Sequence, residues 1–268
     1  MATARIQLRA ASALVTGASG GLGRAIAIAL AARGARVIVS GRREAELEQL
    51  AGEIGGRSVV ADLAVRHDVD RLIAEAGEVD VLVANAGVPA TGELSDLSRG
   101  EIDRMLEINL RVPIVLAKEL SESMSARGRG HLVFVSSLAG KAASPASSIY
   151  SATKFGLRGF AHALRQDLRP HGVGVSVVLP GFIREAGMFA QAGVRLPPGV
   201  GTRAPEDVAR AVLGAITGNR AEVEVAPLGL RLGAAFAGLA PATAATLSRW
   251  LGGERVASSL AAAQRHRR

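Results

Sequence analysis

Residues 11–23 read ASALVT and then GASGGLG, and the fold follows from this stretch. Ala11 to Thr16 is a short apolar run with the length of a buried strand, and Leu22 to Arg33 carries apolar residues at helical spacing. Between them, Thr16-Gly17-Ala18-Ser19-Gly20-Gly21-Leu22-Gly23 forms a strand-to-helix turn with the spacing G-x-x-x-G-x-G. A turn made of glycines lets the backbone approach a pyrophosphate, whose charge then faces the helix N-terminus. Taken alone, such a turn also occurs for purely structural reasons.

The same alternation of short apolar and longer amphipathic runs continues outward. Strands are expected at 11–16, 35–40, 57–61, 79–84, 131–136, 174–179 and 221–225. Helical patterns fall at 22–33, 43–54, 69–76, 99–126, 148–169 and 205–218. This predicts an α/β fold, a doubly wound, mostly parallel seven-stranded sheet with helices on both faces, Rossmann-like in its layering. Residues 1–225 are expected to form a single dinucleotide-binding and catalytic domain, and residues 226–268 a helical C-terminal extension. Gly181 to Arg203 is the longest stretch without periodicity; following a strand's C-terminal end, it is expected to be a substrate lid.

Composition narrows the chemistry. The 268 residues contain no cysteine, which excludes disulfides, thiolate metal sites and cysteine nucleophiles, and no metal site is expected. That composition suits a reducing cytoplasm, the expected location, and the opening MATARIQLRAAS lacks the apolar stretch of a secretory signal. No run reaches the roughly 20 apolar residues of a spanning helix. The net charge of +8 could suggest nucleic acid, but the arginines are scattered and aromatics for stacking are scarce. No nucleic-acid partner is expected.

Two further features support a nucleotide at the glycine turn. Asp62, followed by Leu63, ends the third strand, where it can accept a hydrogen bond from an adenine amino group. Asn85-Ala86-Gly87 ends the fourth, where small residues permit close packing beside a cofactor. The second strand ends in Gly41-Arg42-Arg43, where an enzyme preferring NAD(H) usually places a carboxylate for the ribose 2′-hydroxyl. A guanidinium there would instead hold a 2′-phosphate, so NADP(H) is expected over NAD(H).

The reacting end is marked by Tyr150 and Lys154, four residues apart on one helix face. Tyr150 is the sole tyrosine of the chain, and Lys154 is one of three lysines among 32 basic residues. A free phenol titrates near about pH 10, and a nearby ammonium lowers that value toward a working range. Ser137 ends the fifth strand and can hydrogen-bond a substrate oxygen. Asn109, within Leu106-Glu107-Ile108-Asn109-Leu110, reads from its residues as part of a solvated helix face.

In this order, TGASGGLG (16–23), Asp62, NAG (85–87), Asn109, SS (136–137), YSATK (150–154) and PG (180–181) resemble the short-chain dehydrogenase/reductase family over about 11–225. The resemblance implies an oxidoreductase interconverting an alcohol and a carbonyl. It implies that Tyr150 exchanges a proton with the substrate oxygen while hydride moves to or from nicotinamide. Lys154 would bind the nicotinamide ribose and lower the tyrosine pKa, Ser137 would polarise the substrate oxygen, and Asn109 would hold a relay water. Gly17, Ser19, Gly20, Gly21, Leu22, Gly23, Pro180 and Gly181 would line the cofactor, with the Ile183 backbone at the carboxamide. One departure is Glu185, where the family often has a threonine four residues past the glycine.

The substrate is expected to be a small, largely apolar ketone or secondary alcohol, because the lid contains Phe182, Ile183, Met188, Phe189, Val194 and Leu196. A homo-oligomer, dimer or tetramer, is expected from the resemblance and from the long helices 99–126 and 148–169. Two other functions compete: a non-catalytic nucleotide-binding regulator, and a membrane-surface lipid-metabolising reductase using 226–268. The intact Ser137–Tyr150–Lys154 set argues against the first, since binding alone needs no tyrosine acid/base.

Overall fold

Strands covered on both faces read as near-continuous apolar runs, and this shapes the centre of the sheet. In the computed structural model, which describes residues 6–88, 92–186, 190 and 200–250 (side chains of 247–250 excepted), the apolar runs become seven strands. They are β1 (Ser12–Thr16), β2 (Arg36–Gly41), β3 (Arg57–Val60), β4 (Val81–Ala84), β5 (Gly130–Val135), β6 (Val173–Pro180) and β7 (Glu222–Val225). The order is β3-β2-β1-β4-β5-β6-β7, and every pairing is parallel.

The order reverses between β1 and β4, which pair through Val15 and Val83. Parallel strands all point the same way, so the C-terminal ends of β1, β4, β5 and β6 open on one edge. A crevice at such a reversal is where open α/β sheets bind ligands.

The pleat divides the core in two. On one face Ala13, Val15, Val37, Val39, Val83 and Val133 pack with α1 (Gly21–Ala31), α2 (Glu44–Ile54) and α7 (Pro205–Gly218). On the other, Leu14, Ile38, Leu82, Leu132, Phe134 and Val177 pack with α3 (Arg66–Ala76), α5 (Val112–Ala126) and α6 (Ser148–Leu168). The expected strand and helix boundaries hold to within a few residues.

One expected helix is not uniform. The run 99–126 divides into α4 (Arg99–Leu106), a π-helical segment over Glu107–Arg111, and α5. Beyond β7, the extension forms α8 (Leu228–Leu239) and α9 (Pro241–Trp250), and α9 packs on α8. Among the described residues, no helix is long and apolar enough to cross a membrane.

Candidate active site

The glycine turn is built around contacts that only glycine permits. Gly17 has φ +66, and a Cβ there would lie 2.8 Å from the Ala86 Cα. A Cβ on Gly23 would run into the Gly17 carbonyl oxygen and approach the Ala18 Cα to 2.8 Å. Asn85 locks the turn to β4: its Nδ2 donates to the Thr16 carbonyl at 3.0 Å. The backbone amides of Asn85 and Ala86 each donate to Thr16 Oγ1 at 3.2 Å. Gly87 follows on the exposed side.

Helix α1 starts at this turn without a side-chain cap and without an acid in its first turn. The first-turn amides at Gly21, Leu22 and Gly23, next to the N-cap Gly20, thus form a positive helix end with no protein anion of their own. That is the electrostatic requirement for a bound phosphate.

Two arginines border the same turn. Arg43 stands at the N-cap position of α2 without capping it by its side chain, and donates from Nη2 to the Ser19 carbonyl, while its Nη1 lies 3.2 Å from Glu46. Arg42 is exposed, with Nη1 4.0 Å from Asp62 Oδ2. Asp62 Oδ1 accepts from the Ala64 amide at 3.0 Å, and Leu63 is buried beneath. The carboxylate therefore already serves a turn while its other oxygen faces Arg42.

At the reacting end, β5 and α6 are joined by several short contacts. Ser137 follows β5; its Oγ accepts from the Ala139 amide at 3.1 Å, capping the 3-10 turn Leu138–Gly140, and its hydroxyl is near enough to Tyr150 to favour the phenolate. Its Oγ also lies 3.5 Å from the Pro180 carbonyl at the end of β6. A Cβ on Gly140 would lie 2.6 Å from the Lys154 carbonyl oxygen, so this turn rests directly on α6. Ser136 Oγ donates to that same carbonyl at 3.0 Å.

Lys154 is 3% exposed; its Nζ donates to the Val135 carbonyl at 3.1 Å and lies 5.6 Å from the Tyr150 ring centre. Burial pulls the Lys154 ammonium down to about 8. Tyr150 moves the other way: burial raises the phenol above its ordinary value, opposed by the Ser137 hydrogen bond. The expected lowering by Lys154 is thus not the net result here, because burial of the phenol outweighs it.

Asn109 corrects the reading from its residues. It is fully buried in the π-helical segment, and its carboxamide clasps Val88, accepting from the amide at 2.8 Å and donating to the carbonyl at 3.0 Å. The signal was present: Met105, Ile108, Asn109 and Val112 share one helical face, and the other three are apolar.

The segment expected to be a lid has fixed contacts at both of its ends. The Gly181 amide donates to the Val225 carbonyl at 3.0 Å, and Ile183, buried, bridges to Arg203 in parallel register. Arg184 N donates to Arg203 O and Arg203 N to Phe182 O, both at 2.9 Å. Ala186 sits over the glycine turn, 2.5 Å from where a Gly21 Cβ would be. Glu185 adopts φ +67, and its exposed carboxylate pairs with Arg184 Nε at 3.0 Å. The lid residues Met188, Phe189, Val194 and Leu196 lie outside the described residues.

One cluster was not anticipated. Glu222 on β7 accepts from Arg158 Nε at 2.6 Å, contacts His162 Nε2 at 2.8 Å, and pairs with Lys141 Nζ at 3.2 Å. Glu224 bonds Lys141 and pairs with Arg231 Nε of α8 at 3.1 Å. Burial alone would raise the Glu222 carboxyl, but Arg158, His162 and Lys141 bring it down to about 2. Two acids two apart on a strand share a face and call for cations, which is the signal that could have found them. Among the described residues no group of side chains is arranged to hold a metal.

The short chain dehydrogenase family pattern matches residues 11–194 of this chain. The chain belongs to the short-chain dehydrogenase/reductase family. It is 38% identical over 221 residues to a ketoacyl reductase, HetN, of Nostoc sp., covering 79% of this chain and 77% of that one. A short-chain dehydrogenase of Sphingobium yanoikuyae, solved with NADPH, superposes with a TM-score of 0.76 at 25% identity, covering 89% and 95%. A 3-ketoacyl-(acyl-carrier-protein) reductase of Brucella melitensis, solved with NADH, gives 0.73 at 26%, covering 81% and 97%. As a short-chain dehydrogenase/reductase, the chain is an oxidoreductase acting on CH–OH groups.

Proposed function

We propose that this chain is an NADP(H)-dependent carbonyl reductase for a small, largely apolar ketone, with Tyr150 as its proton donor. The observation that carries the reading is the buried Lys154 ammonium 5.6 Å from the Tyr150 ring centre, at the sheet edge that also bears Ser137 and the glycine turn. Two relatives are named as ketoacyl reductases, which supports a β-ketoacyl compound as the first substrate class to try.

The residues fit a dinucleotide. The uncapped first-turn amides of Gly21, Leu22 and Gly23 would receive its pyrophosphate, and Gly17 and Gly20 leave no side chain between it and the backbone. Arg42 would take the 2′-phosphate with a charge-assisted hydrogen bond, and Arg43, tied to Ser19, would shape the same edge. Asp62 and Leu63 would border the adenine, Asn85, Ala86 and Gly87 the ribose side, and Pro180, Gly181 and Ile183 the carboxamide. Reduced nicotinamide, when bound, supplies hydride to the carbonyl carbon.

The chain's own part is to hold the carbonyl oxygen and deliver a proton. Ser137 and Tyr150 would each offer a hydroxyl to the carbonyl oxygen, which then accepts two hydrogen bonds. As negative charge develops on it, the Tyr150 proton transfers and the alcohol forms. A phenol raised by burial is fully protonated at neutral pH, which suits reduction. Lys154 balances the charge left on Tyr150, and Asn109 fixes the Val88 backbone behind it.

The test is a panel of ketones and β-ketoacyl thioesters with NADPH and NADH, followed by loss of reduced-nicotinamide absorbance. No turnover of any apolar ketone would sink the substrate class, and turnover with NADH alone the cofactor. A homo-oligomer is part of the same proposal. Leu106 and Phe155, on α4 and α6, are exposed and suit a contact between subunits. Light scattering giving a monomer mass at micromolar concentration would remove it.

A further inference from the structure

Helix α8 is amphipathic in the wrong sense for a helix that merely covers its own protein. At 3.6 residues per turn, Leu228, Leu232, Phe236 and Leu239 fall within about 80° of arc. Their exposures are 64%, 62%, 42% and 86%. The helix's buried residue is Ala234, on the opposite side. A helix seated by the hydrophobic effect turns its large side chains inward, whereas this one presents them to solvent and rests on a small one.

The charge of the surrounding sequence is lopsided as well. Residues 226–268 hold Arg231, Arg249, Arg255, Arg265, Arg267 and Arg268 against one acid, Glu254. This stretch therefore carries +5 of the chain's net +8. The stripe also begins at the mouth of the site. A Cβ on Gly181 would meet the Ala226 Cβ at 3.0 Å, and one on Gly201 the Pro227 Cγ at 3.0 Å, so both arms of the lid neck abut the root of α8.

We propose that the apolar face of α8, within a stretch of net charge +5, seats the protein on an anionic lipid surface, so that a lipid-borne substrate enters the cleft from the bilayer. An apolar helix face within a net-basic stretch of sequence is the composition of an interfacial helix. A second copy of the chain fits less well, because it would bring the same positive charge against itself, whereas anionic headgroups neutralise it. The placement beside the lid neck gives the docking a use. A sparingly soluble ketone then need not cross water. The proposal rests on the reading of the site as a reductase of apolar carbonyls.

The experiment is flotation of the full chain with vesicles of phosphatidylcholine alone or mixed with phosphatidylglycerol. It compares wild type, Leu232→Glu/Phe236→Glu and the single Leu239→Glu, with turnover of a water-soluble ketone and light scattering measured alongside. Wild type should float with the anionic vesicles and less so in salt. The substitutions should weaken binding roughly tenfold or more per residue, because each removes a buried leucine or phenylalanine and adds like charge to the lipid. Soluble turnover should stay at the wild-type level, while the KM for a vesicle-borne ketone rises.

Wild type that ignores anionic vesicles, or variants that float as well as wild type, would overturn the proposal. So would a dimer mass that the substitutions convert to monomer without any flotation, since the stripe would then be a contact between copies. Leu239→Glu, at the most exposed position, keeps the test alive if the double variant misfolds. Normal flotation with no ketone turnover would instead refute the reductase reading and leave the docking standing.

Discussion

The Lys154 ammonium lies over the ring of Tyr150, 5.6 Å from its centre, while its hydrogen bond goes to the Val135 carbonyl. Burial acts on both groups in opposite directions, lowering the lysine to about 8 and raising the phenol. Each group is thereby pushed toward its neutral form, so the phenol keeps its proton until a developing negative charge draws it away.

Removing that proton source should be costly to rate and not to fold. Tyr150→Phe is expected to lower kcat about 10²–10⁴-fold with little change in the melting curve or in cofactor titration. Ser137→Ala should also lower kcat, through loss of the second hydrogen bond to the oxygen. A Tyr150→Phe enzyme that keeps most of its kcat would show that another group donates the proton.

For Lys154→Met, stability and activity should part company. A lysine whose folded pKa lies below its unfolded value of about 10.4 makes the unfolded state bind more protons, so folding stability should rise with pH from about 8 to about 10. The uncharged variant should lose that rise and melt no lower than wild type near neutral pH, while turnover falls. Wild-type turnover should fall as pH climbs through about 8, as the ammonium is lost. Melting curves and rate profiles across this range check both signs, and a flat wild-type stability profile would contradict the burial argument.

Cofactor preference should depend on Arg42. Arg42→Ala is expected to reduce kcat/KM with NADPH roughly tenfold or more and leave NADH nearly unchanged, since a charge-assisted hydrogen bond to phosphate is lost. Removing Arg42 also leaves Asp62 Oδ2 without the cation 4.0 Å away. Unchanged preference in the variant would assign the phosphate elsewhere.

Glu222→Gln should loosen the β7 edge. Glu222 is held down to about 2, so its stabilising contribution is complete above the unfolded value of about 4.3 and disappears as pH falls toward 2. The variant leaves Arg158, His162 and Lys141 facing one another without their shared counter-charge, and a lower melting temperature is expected near neutral pH. The gap to wild type should narrow on acidification below about pH 4. An unaltered melt would mean the cluster is solvated well enough to be neutral in energy.

The sheet was legible because parallel strands covered on both faces leave continuous apolar runs, as in Ala11 to Thr16 and Gly174 to Leu179. The pairing of Tyr150 with Lys154 was legible for another reason: both residue types are rare in this chain. What escaped was set by tertiary context. The π-helical segment at Glu107–Arg111 leaves little trace in residue type, and Asn109 looks solvated until Val88 is placed against it. Glu222 and Glu224 gain their meaning from cations on α6, α8 and the turn after Ser137, none of them close in sequence. The direction of the Tyr150 shift needed the packing around it, since charge proximity alone argued the reverse.

The ties joining Phe182 and Arg184 to Arg203 have a consequence for how such an enzyme can change. They tie the two ends of the 181–203 segment to each other beside the sheet. The entropy of closing a loop grows only slowly with its length, by about 0.6 kcal/mol per doubling. Segments of different length and composition can therefore be grafted between the two arms while Ser137, Tyr150 and Lys154 stay in register. On our proposal that this segment is a substrate lid, substrate range is an exchangeable cassette and the proton chemistry the fixed chassis.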